Sequence, residues 1–404
     1  MAKRTTPTFI AELPLSVSKR DDRELLVRLD VCRQLYNACL GEALRRLDRM
    51  RDSLDWQRAK ALKGKTMAMA QARGEAFQAT RAKYGFTSAS ISAYGTACKN
   101  AAHWNVGRKR TDPRLGAHET QRIAERAFAS ADRYCFGVRG RPRFKGKGRP
   151  LHSLEGKSAG SSLCWNSTLG ALQWGDLVLF AKLPPEGKDP WLEAALYTGE
   201  HRTKYARIVW RVIQGERRWF VQLAQEGLAP QKYRTIDGAI VGSDVGPSTI
   251  AVYSETAVAL VPLAPEIDQP WQATKRLQRA MDRSRRATNP HCYNANGTWK
   301  KGAKVTTRSA NYQAPRMELA ETERVLAKTR ERSHGRLANQ IVALGNVHQS
   351  EKLSHRSFQK NFGRSTKLRA PGSLMQKIRR KVERTGAYLE LNSRAQFSSS
   401  TRGA

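Results

Sequence analysis

Two acidic residues lie at the ends of strand-like segments, where a carboxylate can hold a divalent metal ion. Asp244 follows an apolar run that starts at Ile240, and the turn 246–248 separates it from a second apolar run, 250–253. This pattern predicts a β-hairpin with Asp244 at the end of its first strand. A carboxylate buried in such a run is costly unless it is paired, hydrogen-bonded or bound to a metal. Asp244 is therefore either an ordinary turn aspartate or a metal ligand.

Glu351 is the second such acid, in the short strand-like segment 346–354 that follows a long predicted helix. A predicted loop rich in cations comes next, with Lys352, Arg356, Lys360, Arg364, Lys367 and Arg369. A lone glutamate among cations is usually a surface ion-pair partner that contributes little stability. Because Asp244 also stands at the end of a strand, we interpret Glu351 as a second ligand of the same metal site.

Two superfamilies carry a strand, an Asp-x-Gly sequence and a hairpin of this kind. In ribonuclease H-like nucleases the first carboxylate holds a divalent metal, whereas in actin-like or sugar-kinase ATPases a similar loop binds phosphate. The ATPases need a second, glycine-rich Asp-x-Gly loop further along the chain. None follows Tyr253, where the sequence becomes helical and basic. The nuclease interpretation is therefore favoured.

The overall charge points to a polyanionic partner. The 404 residues carry a formal net charge of +37 and have a pI near 10.6, a charge that repels itself in a compact fold. Lys and Arg are spread along the whole length, which predicts an extended nucleic-acid channel rather than one docking patch. Membrane attachment is the alternative, but no segment is long and apolar enough to span a bilayer. The basic N-terminus has no apolar signal core behind it, so we expect a cytoplasmic protein.

A basic segment with one aromatic residue runs from Gly140 to Pro150. Its glycines and prolines prevent a helix, so its cations can lie along phosphates while the aromatic ring stacks on a base. The alternative is a solvated basic linker. The residues predicted to bind nucleic acid are Arg141, Arg143, Phe144, Lys145 and Lys147.

The six cysteines do not form a Cys-x-x-Cys pair, which a zinc ribbon requires. Cys32, Cys39 and Cys135 fall at apolar helix positions and are predicted to be small core residues. His291 stands beside Cys292, but no second pair of ligands is near in the sequence. We therefore expect no zinc in this chain.

The periodicity changes twice along the chain and predicts an α+β multidomain fold. Residues 1–160 form a helical region with basic loops, in which apolar positions between Leu25 and Leu47 and between Ile123 and Tyr134 recur every three or four residues. Residues 161–235 form a β-rich module with strands at 171–174, 177–180, 206–212 and 219–223. Residues 236–404 hold both acidic motifs, and within them we expect a mobile polar loop at 289–312.

In this order the motifs resemble the transposon-encoded TnpB family and its relatives, the compact type V CRISPR effectors. The resemblance covers most of the chain. It depends on these segments: Leu35-Tyr36-Asn37, Gly140-Arg-Pro-Arg-Phe-Lys145, the β-rich module, Val241-Gly-Ser-Asp244-Val-Gly, the long helix and Glu351-Lys-Leu.

The resemblance implies a RuvC-like, ribonuclease H-type domain that cuts double-stranded DNA chosen by a guide RNA. It assigns Asp244 and Glu351 to the first and second acidic positions of a site for two Mg²⁺ ions, which activate water and stabilise the leaving oxygen. Base pairing with the guide RNA would select the target, and the β-rich module would correspond to the wedge domain of these proteins.

The chain also departs from the family pattern. After Glu351 it keeps a helix at 373–384 and a strand at 387–391, but the zinc ribbon and the third acidic residue of the family are missing before residue 404. We therefore expect a C-terminally incomplete RuvC-like domain. Loss of a metal ligand usually removes most of the activity, and Glu390 is the nearest substitute.

Three functions are compatible with these motifs. The first is an RNA-guided DNA endonuclease, truncated and weakly active. The second is a nuclease-deficient RNA-guided DNA-binding protein that represses transcription, and the third is a basic RNA-binding structural protein. The two acids favour the first function, whereas the missing third acid favours the second.

Overall fold

The computed structural model describes residues 6–62, 64, 66–102, 115–146, 149–230, 236–268, 270–351, 355–385 and 387–392. The chain combines helices and sheets in two compact units. The first comprises residues 1–212 and 216–228, and the second comprises 213–215 and 229–404.

Long helices and small antiparallel sheets make up the first unit. Its helices are α1 (Lys19–Arg51), α2 (Leu54–Ala61), α3 (Met67–Lys83), α4 (Ser88–Ala101), α5 (Ala117–Cys135) and α6 (Pro190–Leu196). Its strands are β1 (Thr8–Pro14), β2 (Ser153–Glu155), β3 (Leu163–Asn166), β4 (Ala171–Trp174), β5 (Leu177–Phe180), β6 (Thr203–Ile213) and β7 (Glu216–Glu226).

One core joins these helices to these strands. A capping box starts α1, since the Ser18 hydroxyl accepts from the Asp21 N–H and the Asp21 carboxylate accepts from the Ser18 N–H. The apolar face of α1 then packs on α4 and α5, and Cys32, Cys39 and Cys135 are buried there as predicted. Strand β1 pairs antiparallel with β7 in a sheet of order β1-β7-β6-β2, so the start of the chain completes the β-rich part of this unit.

The second unit is built on one mixed sheet. Its elements are β8 (Ile240–Val245), β9 (Thr249–Ser254), β10 (Val258–Pro262), α7 (Trp271–Thr288), α8 (Ala310–Ala343), β11 (Val347–Glu351), α9 (His355–Arg369), α10 (Pro371–Thr385) and β12 (Tyr388–Asn392). The strand order is β10-β9-β8-β11-β12, in which β9 is antiparallel to β8 and β10, whereas β8, β11 and β12 are mutually parallel. The predicted hairpin is confirmed, and the strands predicted within 346–354 and at 387–391 are observed at Val347–Glu351 and Tyr388–Asn392.

One face of this sheet carries the core of the second unit. Val241 and Val245 of β8 lie in a buried cluster with Ile341 of α8 and Ile378 of α10. Side chains alternate along a strand, so Ile240, Gly242 and Asp244 of β8 lie on the opposite face. That opposite face carries large exposed side chains, including Tyr253 and Leu260.

Two predicted loops are folded instead. From His355 the cationic stretch forms helix α9, which is kinked at Phe362, whereas Lys352 lies outside the described residues. The prediction of a loop was wrong because this segment has few apolar residues, so its hydrophobic pattern does not indicate a helix. The segment 289–312, predicted to be a mobile loop, is also ordered: a 3₁₀ turn (Pro290–Cys292) is followed by a β-bridge, and α8 begins at Ala310.

Candidate active site and nucleic-acid interface

Strand pairing brings the two predicted metal ligands together. Strands β8 and β11 are parallel, and their register pairs Ser243 with Ser350. The next residue on each strand is Asp244 and Glu351, so both carboxylates stand at the carboxyl ends of adjacent parallel strands. In α/β sheets, ligands commonly bind at such strand ends.

The alternation of side chains places both acids on one face of the sheet. On β8, Val241 and Val245 are buried, and Asp244 is exposed on the other face. On β11, His348 and Ser350 are buried, while Glu351 is half-buried on the same face as Asp244. Asp244 is thus not enclosed in an apolar core. Its carboxylate is accessible to solvent, so the fold does not require a partner to offset the burial of its charge.

Both carboxylates line one open cleft of about 660 Å³. The cleft lies on the exposed face of the sheet, and its other lining residues come from β8, β9, β10 and β11. The lining residues are Ile240, Gly242, Ser243, Asp244, Ala251, Val252, Tyr253, Val258, Ala259, Leu260, Gln349 and Glu351.

Hydrogen bonds fix the two strands immediately before the acids. The Ser350 hydroxyl donates to the Ser243 carbonyl at 3.1 Å, and the Ser243 hydroxyl donates to the Gln349 carbonyl at 3.4 Å. The turn after Asp244 is tied to α9, since the Ser365 hydroxyl donates to the Pro247 carbonyl at 3.2 Å. These contacts hold the carboxylates on a rigid support, which a metal or catalytic site requires.

A third acid lies on the same face of the sheet. Glu390 of β12 pairs in register with Gln349, and the Gln349 side-chain amide donates to its carboxylate at 3.2 Å. Across the part of the chain that the structure describes, no three His, Cys, Asp or Glu side chains form a metal-binding group. Asp244 and Glu351 supply carboxylate oxygens, which are the hard donors that Mg²⁺ prefers. The described residues do not supply the three-carboxylate set of a two-metal site.

The predicted nucleic-acid segment is attached to helix α1. The Asn37 side chain accepts from the Lys145 N–H at 2.9 Å and donates to the Lys145 carbonyl at 2.8 Å. Arg33 adds a bond to the same carbonyl at 3.3 Å. The backbone at this point is therefore fixed, and the segment is not a freely solvated linker.

The side chains of this segment have different environments. Arg141 pairs with Asp48 at 2.9 Å, and Lys145 lies half-buried with its ammonium 5.2 Å from the centre of the Tyr36 ring. Burial, and next the nearby charge of Arg126, lower the pKa of Lys145.

Two further residues that were predicted to bind nucleic acid face solvent. Arg143 is exposed, and the Phe144 side chain is 58% exposed. The Phe144 ring lies over Gly41 of α1, where a methyl group would come within 3.7 Å of it. Lys147, the fifth predicted residue, lies outside the described residues. An exposed ring and an exposed guanidinium on a fixed backbone can stack on a base and pair with a phosphate.

The role of Asn37 was not predicted from the sequence. The feature that could have indicated this role is a half-buried amide next to Tyr36, on a helix whose neighbouring turns are apolar. A polar group in such surroundings usually has a hydrogen-bond partner. The partner is a backbone peptide that lies 108 residues further along the chain.

Comparison with known proteins leaves the family unassigned. No protein-family model and no curated protein matches this chain. Among solved structures, 96% of the chain aligns with 89% of a protein in a cryo-EM structure of the Cas12f1–sgRNA–target DNA complex, at 12% identity and a TM-score of 0.42. A CRISPR-Cas12f ternary complex aligns over the same shares of both chains, at 13% identity and a TM-score of 0.23. Because these TM-scores are low, the functional assignment depends on the residues of this chain. Among its described residues, no helix is long and apolar enough to cross a membrane.

Proposed function

We propose that this protein is an RNA-guided DNA endonuclease of the TnpB or type V kind, in which Asp244 and Glu351 hold Mg²⁺. The observation that carries the proposal is the pairing of β8 with β11. It brings two acids that are distant in sequence to adjacent strand ends on one face of a mixed sheet. Such a sheet agrees with the ribonuclease H-like fold that the sequence resemblance implies.

The residues of this chain have distinct parts in the proposed reaction. Mg²⁺ at this site would lower the pKa of a bound water and neutralise charge on the scissile phosphate. The carboxylates of Asp244 and Glu351 would hold the ion and orient it toward the open cleft. Cations along the chain would bind the phosphates of guide and target, and Phe144 would stack on an unpaired base. The protein would bind both nucleic acids in the cytoplasm.

A second candidate function is RNA-guided DNA binding without efficient cleavage. The observation that favours it is the position of Glu390, whose carboxylate accepts from Gln349. If Glu390 stays in that bond, two carboxylates of the described residues face the cleft, and two closely spaced ions would lack the charge that stabilises them.

Guided binding is tested separately from cleavage. The chain is expressed together with the DNA that flanks its gene, and the RNA that co-purifies is sequenced. Double-stranded DNA that matches this RNA is then compared with a scrambled duplex of equal length and composition, in buffer with EDTA. We expect tight binding of the matched duplex alone. Equal binding of both duplexes would contradict RNA guidance, and absence of co-purifying RNA would contradict both candidate functions.

A further inference from the structure

Helices α7 and α8 carry a basic surface that the proposed catalytic cleft does not use. Residues 271–317 contain eleven Lys or Arg and a single acid, Asp282. Asp282 pairs with Arg285 and Arg286 of its own helix. The remaining cations are not balanced by acids in this part of the sequence, so their mutual repulsion opposes folding unless an anion binds.

The cations of α7 form a stripe. Lys275, Arg279 and Arg283 are exposed, and their spacing of four residues places them on one side of the helix. Arg286, which pairs with Asp282, lies at the end of the same side. Successive members are about 6 Å apart along the helix axis at most. A row of this kind can contact consecutive phosphates of one strand. The alternative is a solvated helix face, which requires no such excess of one charge.

The segment 289–309 between the helices, here called the knob, is folded around a buried amide. Asn289 is fully buried, and its side-chain carbonyl accepts from the N–H groups of Thr306 and Thr307 at 3.0 and 3.2 Å. Its amide donates to the Thr307 carbonyl at 2.9 Å. Cys292 is also buried, and its thiol lies 3.3 Å from the Lys304 carbonyl. These contacts give the knob a fixed shape without a large core.

The knob presents a tryptophan ring beside cations. Trp299 is 40% exposed, and Tyr293 holds it through an edge-to-face contact of 5.2 Å. The guanidinium of Arg285 lies 5.5 Å from the centre of the Trp299 ring. Four exposed cations follow Trp299 in the sequence of the knob: Lys300, Lys301, Lys304 and Arg308. An aromatic ring that is fixed by its neighbours, exposed to solvent and close to cations can stack on a nucleic-acid base.

We infer that α7 and the knob bind a single strand of nucleic acid, with phosphates along the α7 stripe and one unpaired base stacked on Trp299. This inference rests on the proposed function, since it assigns a further contact for the guide or for a separated DNA strand. A single strand fits better than a duplex, because Trp299 can stack only on a base that is not already stacked on both sides.

The test uses the full chain and fluorescent oligonucleotides of one length: unstructured single-stranded RNA, the same sequence in DNA, and duplex DNA. Trp299→Ala should weaken single-strand binding about tenfold and leave the salt dependence unchanged. Trp299→Phe keeps a ring and should restore most of the affinity. The double variant R279Q/R283Q should reduce the slope of log affinity against log salt by roughly 0.7 for each cation lost. The RNA and DNA arms show which strand is preferred.

Controls separate this inference from the function on which it rests. The double variant Lys328→Gln with Arg332→Gln removes two exposed cations of α8 that do not belong to the α7 stripe. It should change the slope of log affinity against log salt little. If the wild-type chain binds single strands and all the α7 and knob variants bind equally well, the inference is wrong while the proposed function stands. An equal loss in the α8 control would show bulk charge instead of a site, and an equal loss for duplex DNA would contradict the single-strand assignment. Failure of the wild-type chain to bind any nucleic acid would instead overturn the proposed function.

Discussion

His334 should make the second unit sensitive to mild acid. The side chain lies on α8 and is fully buried, and among the described residues only the backbone of Arg369 comes close enough to act on its ring as a hydrogen-bond partner, without the geometry of a normal bond. Burial, and next the positive charge of Arg330, lower the pKa of His334 to about 4 from its ordinary value of 6.5. The neutral imidazole is therefore the form that the fold accepts.

The sign and size of the effect follow from this pKa. Above pH 6.5 the imidazole is neutral in both states and adds no pH dependence. Between pH 6.5 and about 4 the unfolded chain takes up a proton and the folded chain does not, so stability falls as the pH falls. Across that interval the free energy of unfolding should drop by about 3 kcal/mol. Below it both states are protonated, and the loss stops growing.

The variant His334→Leu removes this contribution and keeps an apolar group of similar size in the core. It should flatten the pH dependence of unfolding by that same amount. Urea unfolding is measured at each pH, with a brief hydrogen-exchange pulse at one fixed pH and peptides of α8 and β11 as the readout. The exposed His291 is the matched control, as His291→Leu. An unchanged pH dependence in the His334 variant would refute the reasoning, because the buried imidazole would then not be the group that titrates.

Two further predictions concern the first unit. Burial alone would raise the pKa of the Glu42 carboxyl, but hydrogen bonds from Arg45 and Arg46 hold that pKa below its usual range. Glu42→Gln should therefore cost about 2 kcal/mol at neutral pH. The difference in unfolding free energy between this variant and wild type should be present above pH ~4.3, the ordinary pKa of glutamate, and should disappear as the pH falls through the lowered pKa of the folded state. A difference that persists in acid would contradict the assignment. Asn37→Ala removes both hydrogen bonds to the Lys145 backbone. Calorimetry should show that the free energy of unfolding falls by about 2 kcal/mol, and RNA binding should weaken. Unchanged RNA affinity would show that these two bonds have no part in binding.

The sequence predicted the elements of the site better than their surroundings. Alternating apolar residues and a glycine-containing turn identify the β8–β9 hairpin, because those signals are local. The pairing of β8 with β11 depends on contacts between distant segments, and no local pattern specifies it. The sequence analysis assigned both acids to one metal site but did not predict this pairing.

The errors have a common physical cause. Helix α9 and the knob are held by few apolar side chains, so patterns of hydrophobicity do not detect them. Asn289 organises the knob through hydrogen bonds to backbone groups at 306 and 307, and a single asparagine before a proline is, in the sequence, an ordinary turn signal. Likewise, the bond from Gln349 to Glu390 depends on the pairing of two strands that are separated by two helices.

Metal-dependent cleavage of guide-matched DNA tests the central claim most directly. The wild-type complex is compared with Asp244→Asn and Glu351→Gln, which keep the shape of each side chain and remove its charge, and with Glu255→Gln, an exposed acid in the turn after β9, as the matched control. We expect cleavage that requires Mg²⁺, falls at least about a hundredfold in either site variant, and is unchanged in the control. Cleavage that survives both site substitutions would contradict the assignment of Asp244 and Glu351 as the metal site.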